Sequence, residues 1–124
     1  MPVRISPSVW GDEVERLERR STGRIAAERE RPRLERLGVA ISDVLRCVEP
    51  GPDGSRLAGQ FKLYVPITDA PASQRPFGFV LSPRTDEEGP YFVMLAFGER
   101  HPRRGIRSVY ERAHKRLHGR YPDQ

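Results

Sequence analysis

The chain is poor in cysteine, in lysine and in long apolar runs. Its single cysteine, Cys47, excludes an internal disulfide and any zinc cluster built from several thiolates. Of the 22 basic residues, only Lys62 and Lys115 are lysines. The first twenty residues lack the apolar core of a signal peptide, and no run approaches about 18 apolar residues. We therefore expect a soluble, cytoplasmic protein that does not associate with a membrane.

The composition fits one small domain with an acidic partner. A length of 124 residues, of which 36% are hydrophobic, is enough for a single core. The formal net charge is +5. Such a surface favours nucleic acid as a partner first, although an acidic protein would suit the same charge.

Helical spacing dominates the first fifty residues. Residues 3–9 are β-compatible but contain Pro7, so they predict a short edge strand that enters a turn. Trp10, Val14 and Leu17 then recur at i, i+4 and i+7, which predicts a helix over residues 9–20 with the intervening charged residues facing solvent.

A second helix is predicted from a longer apolar face, which ends before the Pro- and Gly-rich residues 49–54. Pro32 either opens this helix in its first turn or kinks a longer one, and Gly38 is expected only to weaken it. The predicted apolar face consists of Leu34, Leu37, Ile41, Val44, Leu45 and Val48.

After residue 54 the hydrophobic period changes to two. Residues 60–67 predict a strand with Phe61, Leu63, Val65 and Ile67 on one face and with Lys62 and Tyr64 on the other. Residues 77–81 predict a second strand, 82–90 a charged loop, and 91–97 a third strand that is buried on both faces and central in the sheet. Ser108 begins a last helix, in which Val109, Ala113 and Leu117 share a face.

These elements predict an α+β domain of order β-α-α-β-β-β-α. Two N-terminal helices and a short C-terminal helix would pack on a small, mainly antiparallel twisted sheet, and we expect all three on one face. Residues 1–124 form one domain in this interpretation, with 119–124 as a loose tail.

Three segments then carry a family resemblance. The last strand ends in FGER (97–100), a basic loop follows, and the last helix reads VYERAHKRL (109–117). Upstream, LAGQFKL (57–63) leads into the first long strand. Together they resemble the RelE/ParE toxin superfamily of bacterial toxin–antitoxin systems, over about residues 3–118 at the level of element order.

The resemblance implies a ribosome-dependent endoribonuclease that cleaves mRNA by 2′-hydroxyl attack on the adjacent phosphodiester, without a cofactor or a metal. It implies that Arg100 stabilises the phosphate, that Tyr110 transfers a proton or stacks on a base, and that Lys62 acts as base or electrostatic clamp. The family's second strand lysine is Tyr64 here. Arg75 is the candidate for a further basic position, and His101 is a secondary candidate base.

The loop and the last helix carry further basic residues. If the resemblance holds, Arg103, Arg104 and Arg107 contact the RNA backbone. Without the resemblance, they are expected only to be exposed arginines of a solvated loop. His114 and His118 are spaced for metal binding, but with no carboxylate pattern beside them two exposed histidines are the simpler interpretation. Cys47 is expected to be a packing residue.

The implied partners are a cognate antitoxin, the ribosome and mRNA. Two alternatives stay open. A ParE-like toxin that binds a protein such as DNA gyrase is favoured by the loss of a basic residue at Tyr64. An inactive member would keep only its antitoxin-binding role.

Overall fold

The computed structural model describes residues 1–48, 50, 54–67 and 75–119. Residues 68–74, between the first two predicted long strands, and the predicted loose tail beyond Gly119 lie outside these residues. The strands are β1 (Val3–Arg4), β2 (Leu45–Arg46), β3 (Phe61–Val65), β4 (Phe77–Asp86) and β5 (Gly89–Glu99). The helices are α1 (Pro7–Trp10), which continues as a π-helical turn over Gly11–Glu15, α2 (Thr22–Leu37) and α3 (Val109–His118); a 3₁₀ turn spans Ile41–Asp43.

The strands form one sheet in the order β1-β5-β4-β3-β2. β1 pairs with β5 in parallel, and every other pairing is antiparallel. This confirms the predicted α+β class and the mainly antiparallel sheet. β5 lies inside the sheet, between β1 and β4, as its continuous apolar sequence predicts.

The predicted charged loop over residues 82–90 is wrong. β4 continues to Asp86 and β5 begins at Gly89, so that Glu87 and Glu88 alone form the tip of a long hairpin. Residues 83–88 are exposed. Their polar sequence reflects solvent contact on a projecting hairpin, because backbone pairing does not require apolar side chains.

The first helix begins earlier than its apolar spacing predicts. Ser6 accepts a hydrogen bond from the Val9 amide and caps α1, and Pro7 occupies the first turn, where its missing N–H is not needed. The β-structure before it is therefore only Val3–Arg4. The π-helical turn that follows places Glu13 beside Val14 in the interior, although the sequence predicts a solvent-facing Glu13.

The second helix ends at Leu37, well short of the prediction. Gly38 adopts a φ of +68°, and its N–H bonds the carbonyl of Leu34. A Cβ at Gly38 would lie 2.1 Å from the Met1 carbonyl oxygen, so only glycine fits where the amino terminus packs against the end of the helix. Pro32 lies inside the helix rather than opening it.

Most of the predicted apolar face beyond this point is exposed. Leu34 and Val44 are buried, but Leu37 ends α2, Ile41 lies on the 3₁₀ turn, Leu45 on the edge strand β2 and Val48 just beyond that strand. The helical period there is a coincidence of spacing within an irregular connection. The exposed members are Leu37, Ile41, Leu45 and Val48.

The sheet is covered on both faces, so the expectation that all helices share one face is wrong. On one face, Phe79, Met94 and Phe97 pack with α1, the π-helical turn and α2. On the other, Val80 and Ala96 pack against α3. Lys62 lies on the face opposite Phe61 and Leu63, as predicted, because it pairs with Val80 while those two residues pack in the other core; this face is the one that α3 covers.

A β-bulge in β5 decides which face Arg100 occupies. Leu81 pairs with Met94 and Val80 with Ala96, which leaves Leu95 as an extra residue. Met94 packs in the α1–α2 core, whereas Leu95 and Ala96 both face α3. Strict alternation from Met94 would turn Arg100 towards α2, and the bulge turns it towards α3 instead.

Within the described part of the chain, no helix combines the length and the apolar character needed to cross a bilayer.

Candidate functional site

The floor of the site is a row of paired residues on the α3 face of the sheet. Tyr64 pairs with Gly78, and Gly78 pairs with Gly98. Because two of the three lack side chains, an open trough remains beside the tyrosine. Arg100 fills it: a Cβ placed on Gly78 would lie 3.5 Å from Cγ and 3.6 Å from Cδ of that arginine.

Arg100 is held in this trough from several sides. Its Cζ lies 3.6 Å from the centroid of the Tyr64 ring, a cation–π contact. Its Nε donates to the Tyr110 hydroxyl at 3.2 Å and its Nη1 to the Arg75 carbonyl at 2.7 Å. The backbone N–H donates to the Pro76 carbonyl. With 8% of its surface exposed, Arg100 is a fixed cation in the wall of the site.

Lys62 adds a second positive charge on the same face. Its Nζ lies 5.7 Å from the ring centroid of Tyr64 and 5.7 Å from that of Tyr110. The side chain is half-buried. The ammonium group of Lys62 therefore lies within reach of a ligand bound against either phenol ring.

Tyr110 reaches the site from the first turn of α3. Ser108 caps this helix and forms a capping box with Glu111, which fixes the direction in which the helix starts. Burial raises the pKa of the Tyr110 hydroxyl, and the hydrogen bond from Arg100 and the charges of Arg100 and Lys62 only partly offset it. The hydroxyl thus accepts from Arg100 and keeps its own proton at neutral pH for donation to a ligand.

His101 and the basic loop border the site on its open side. The His101 side chain is exposed, and its ring centroid lies 6.5 Å from that of Tyr110. A cleft of about 390 Å³ runs from Arg100 along the loop to Glu111. Arg103 and Arg104 are exposed on this loop, whereas Arg107 is half-buried.

The structure brings together most of the predicted site residues. Lys62, Tyr64, Arg100 and Tyr110 form one cluster, with His101 beside it. Arg75 joins the cluster through its main-chain carbonyl, which accepts from Arg100. It therefore positions the cation of Arg100 in this structure.

Two glycines of the site can be recognised from their positions in the sequence. Glycine inside a strand marks a close approach of another group. Gly78 lies in the predicted strand 77–81, and Gly98 directly follows the predicted strand 91–97. On the α3 face, the space that a side chain would occupy is filled by Arg100 at Gly78 and by Val109 and Arg112 at Gly98.

A buried ion pair behind the site has no comparable signal. Nε of Arg112 on α3 donates to both carboxylate oxygens of Glu13, at 3.2 and 3.0 Å, and Glu13 is buried. Arg116 approaches the same carboxylate at 3.5 Å. The pair ties α3 to the π-helical turn across 99 residues of sequence.

The two histidines of α3 contact the backbone of Arg56. Nδ1 of His114 accepts from the Arg56 N–H at 2.8 Å, and Nε2 of His118 lies 2.9 Å from the Arg56 carbonyl. His114 is buried, so the interpretation of two exposed histidines is wrong for that residue. Among residues 1–48, 50, 54–67 and 75–119 there is no group of three or more His, Cys, Asp or Glu side chains suited to a metal ion.

Comparisons with protein-family models, with curated proteins and with solved structures find no match to this chain. The resemblance in residues 57–63, 97–100 and 109–117 therefore stays a prediction.

Proposed function

We propose that this protein is a RelE-like toxin, a ribosome-dependent endoribonuclease that cleaves mRNA by attack of a 2′-hydroxyl on the adjacent phosphodiester. The observation that carries the proposal is the convergence of Lys62, Arg100 and Tyr110 on one patch of the sheet. Two cations and a protonated phenol are suited to a reaction in which negative charge develops on phosphate oxygens.

The proposed reaction needs one proton acceptor and one proton donor. The O2′–P bond forms as the P–O5′ bond breaks, leaving a 2′,3′-cyclic phosphate and a free 5′-hydroxyl. Tyr110 would protonate the departing 5′-oxygen, since its raised pKa keeps the hydroxyl protonated. His101, 6.5 Å away between ring centroids, would accept the proton of the 2′-hydroxyl.

The two cations would stabilise the charge on the phosphate in different ways. Arg100 is fixed by Tyr64, Tyr110 and the Arg75 carbonyl, so it needs little reorganisation during the reaction. Lys62 has a flexible side chain and would follow the phosphate from ground state to transition state. Loss of one such group costs on the order of 100-fold in rate.

The surface around the site suits the partners of such a toxin. Exposed Arg103 and Arg104 beside the cleft would contact the RNA backbone and make binding weaker at high salt. A cognate antitoxin would neutralise the toxin by covering this basic surface.

Primer extension on a translated message tests the proposal directly. Wild type, in the absence of antitoxin, should cut the message, and Tyr110→Phe and Lys62→Met should each reduce cleavage by on the order of 100-fold. Arg84→Ala, a loss of one exposed arginine near the hairpin tip, serves as the charge-matched control and should cleave normally. Absence of cleavage by the wild type would refute the proposal.

A second candidate is a ParE-like toxin that inhibits DNA gyrase by binding. It is favoured by Tyr64, which stands where a second strand cation is expected and whose ring covers the guanidinium of Arg100. Inhibition of gyrase supercoiling by the purified protein, without mRNA cleavage, would establish it. Growth unaffected by overexpression would instead support an inactive, antitoxin-binding member.

A further inference from the structure

A second, smaller cleft adjoins the cation cluster. Its volume is about 210 Å³, and the apolar part of its lining, which we call the apolar wall, includes Cys47, Val48 and Leu57. Lys62, Arg100 and Tyr110 also line the cleft. The cleft therefore combines apolar contacts with two positive charges.

The apolar wall is held against α3 by specific hydrogen bonds. Both backbone groups of Arg56 face the imidazoles of His114 and His118. The Leu57 carbonyl accepts from the Gln60 amide, and the Gln60 carbonyl accepts from the Cys47 amide. With Leu57 1% exposed, this wall is anchored in the fold.

The size and the chemistry of the cleft restrict what it can hold. Drug-sized ligands occupy pockets of about 300–1,000 Å³, so a smaller cleft suits a single ring system. Aromatic and arginine side chains stack on unpaired bases of single-stranded RNA. A nucleobase would offer a flat ring to the apolar wall and to Tyr110, and its phosphate would lie near Lys62.

We propose that this cleft binds one unpaired base of single-stranded RNA against Val48, Leu57 and the Tyr110 ring. The adjoining phosphate then lies at Lys62 and Arg100. This inference rests on the proposed function for the choice of RNA, and it assigns residues of the 47–57 connection to base binding.

Alkylation of Cys47, the only cysteine, reports occupancy of the cleft in the full-length protein. The probes are the four nucleoside 3′-monophosphates, ribose 5-phosphate and a tetranucleotide of 2′-O-methyl RNA, which cannot undergo 2′-hydroxyl attack. Nucleotides should slow the reaction of Cys47 with iodoacetamide, and ribose 5-phosphate should not. The tetranucleotide should protect at a lower concentration than any mononucleotide. Backbone amide shifts of Leu57, Lys62 and Tyr110 provide the same readout by NMR.

Val48→Glu tests the apolar wall, because Val48 is 60% exposed and the variant should fold. The carboxylate should weaken protection about tenfold, which corresponds to about 1.4 kcal/mol. Ile25→Glu is the matched control, since Ile25 is an exposed apolar residue of α2, the helix on the other face of the sheet.

The outcomes separate this inference from the proposed cleavage. Protection without mRNA cleavage by the wild type supports base binding and refutes the endoribonuclease. Cleavage without protection or amide shifts overturns base binding alone. Three other results would also overturn it. Equal protection by ribose 5-phosphate would mean that the site recognises only phosphate, and equal protection by mononucleotide and tetranucleotide would mean that it binds a free nucleotide. Undiminished protection in Val48→Glu would mean that the ligand binds elsewhere.

Discussion

Gly78 and Gly98 face each other across β4 and β5, and the space that they leave is filled by the side chains of Arg100 and Arg112. Arg100 fills the space beside Gly78, so the cation of the candidate site depends on a residue that has no side chain. The size of the residue at position 78 should therefore control where the guanidinium of Arg100 lies.

Replacing Gly78 with valine should displace Arg100 from Tyr64. A Cβ there already lies 3.2 Å from the Leu63 carbonyl oxygen and 3.5 Å from Cγ of Arg100, so the branched side chain has no room. We expect the Arg100 Nε–H resonance to lose its protection from solvent exchange, and RNA cleavage to fall by on the order of 100-fold. Gly98→Ala is the control, since its Cβ would make ordinary contacts at 3.8 Å. Equal activity of the two variants would refute the dependence.

The ionisation of Tyr110 should respond to Lys62. Burial raises the pKa of its hydroxyl above the ordinary value of 10.0, and Lys62 opposes that rise. Lys62→Met should therefore raise the pKa further, as measured by the tyrosinate absorbance difference from Tyr110→Phe. Lys115→Met removes the same charge from the exposed side of α3 and should leave the titration unchanged.

The sign of the shift also determines a stability profile. Because the folded state holds the Tyr110 proton more tightly, this group favours folding below pH 10.0, and its contribution is lost as pH rises through the higher folded pKa. Tyr110→Phe should be less sensitive than the wild type to pH in that alkaline window. A larger sensitivity in the phenylalanine variant would contradict the raised pKa.

Breaking the buried pair of Glu13 and Arg112 should destabilise the fold strongly. Glu13→Gln leaves Arg112, 17% exposed, without its carboxylate, and loss of one partner of a buried pair costs about 3 kcal/mol. Chemical denaturation followed by circular dichroism measures the change. Asp12→Asn, at a side chain that is 70% exposed, should change stability by less than about 1 kcal/mol. A double variant, Glu13→Leu with Arg112→Met, should recover much of the loss.

The hairpin tip should show the opposite pH dependence. The hydrogen bond from Arg4 lowers the pKa of Asp86 below its ordinary 3.8. The contribution of Asp86 is therefore present above pH 3.8 and disappears as pH falls through the folded pKa. Asp86→Asn should lower the melting temperature at pH 7 and match the wild type in strong acid, whereas Glu87→Gln at its exposed neighbour should have no such profile.

Local periodicity predicts much of this fold because alternation in a strand is a local property. The pattern of residues 60–67 correctly separates Lys62 and Tyr64 from the apolar face. The cap at Ser108 and the apolar spacing after it correctly predict α3. These features need no knowledge of distant residues.

Long-range contacts explain what the pattern fails to predict. Gly38, where α2 ends, packs against the Met1 carbonyl, and the buried Glu13 is paired with Arg112 near the other end of the chain. Likewise, Arg100 meets Tyr64 only because β5 contains an extra residue at Leu95. None of these contacts between distant residues produces a periodic pattern in the sequence.

Because of the bulge at Leu95, the effect of deleting one residue from β5 depends on which residue is removed. Deleting Leu95 would leave a regular hairpin, in which Ala96 and every later residue keep their present faces. Deleting Glu99 instead would move Arg100 into a position that faces α2, with a charged side chain directed at the phenylalanines of that core. A variant with one residue fewer in β5 should therefore keep its fold and site when Leu95 is the residue deleted, and should lose them when the spacing from Phe97 to Arg100 is shortened.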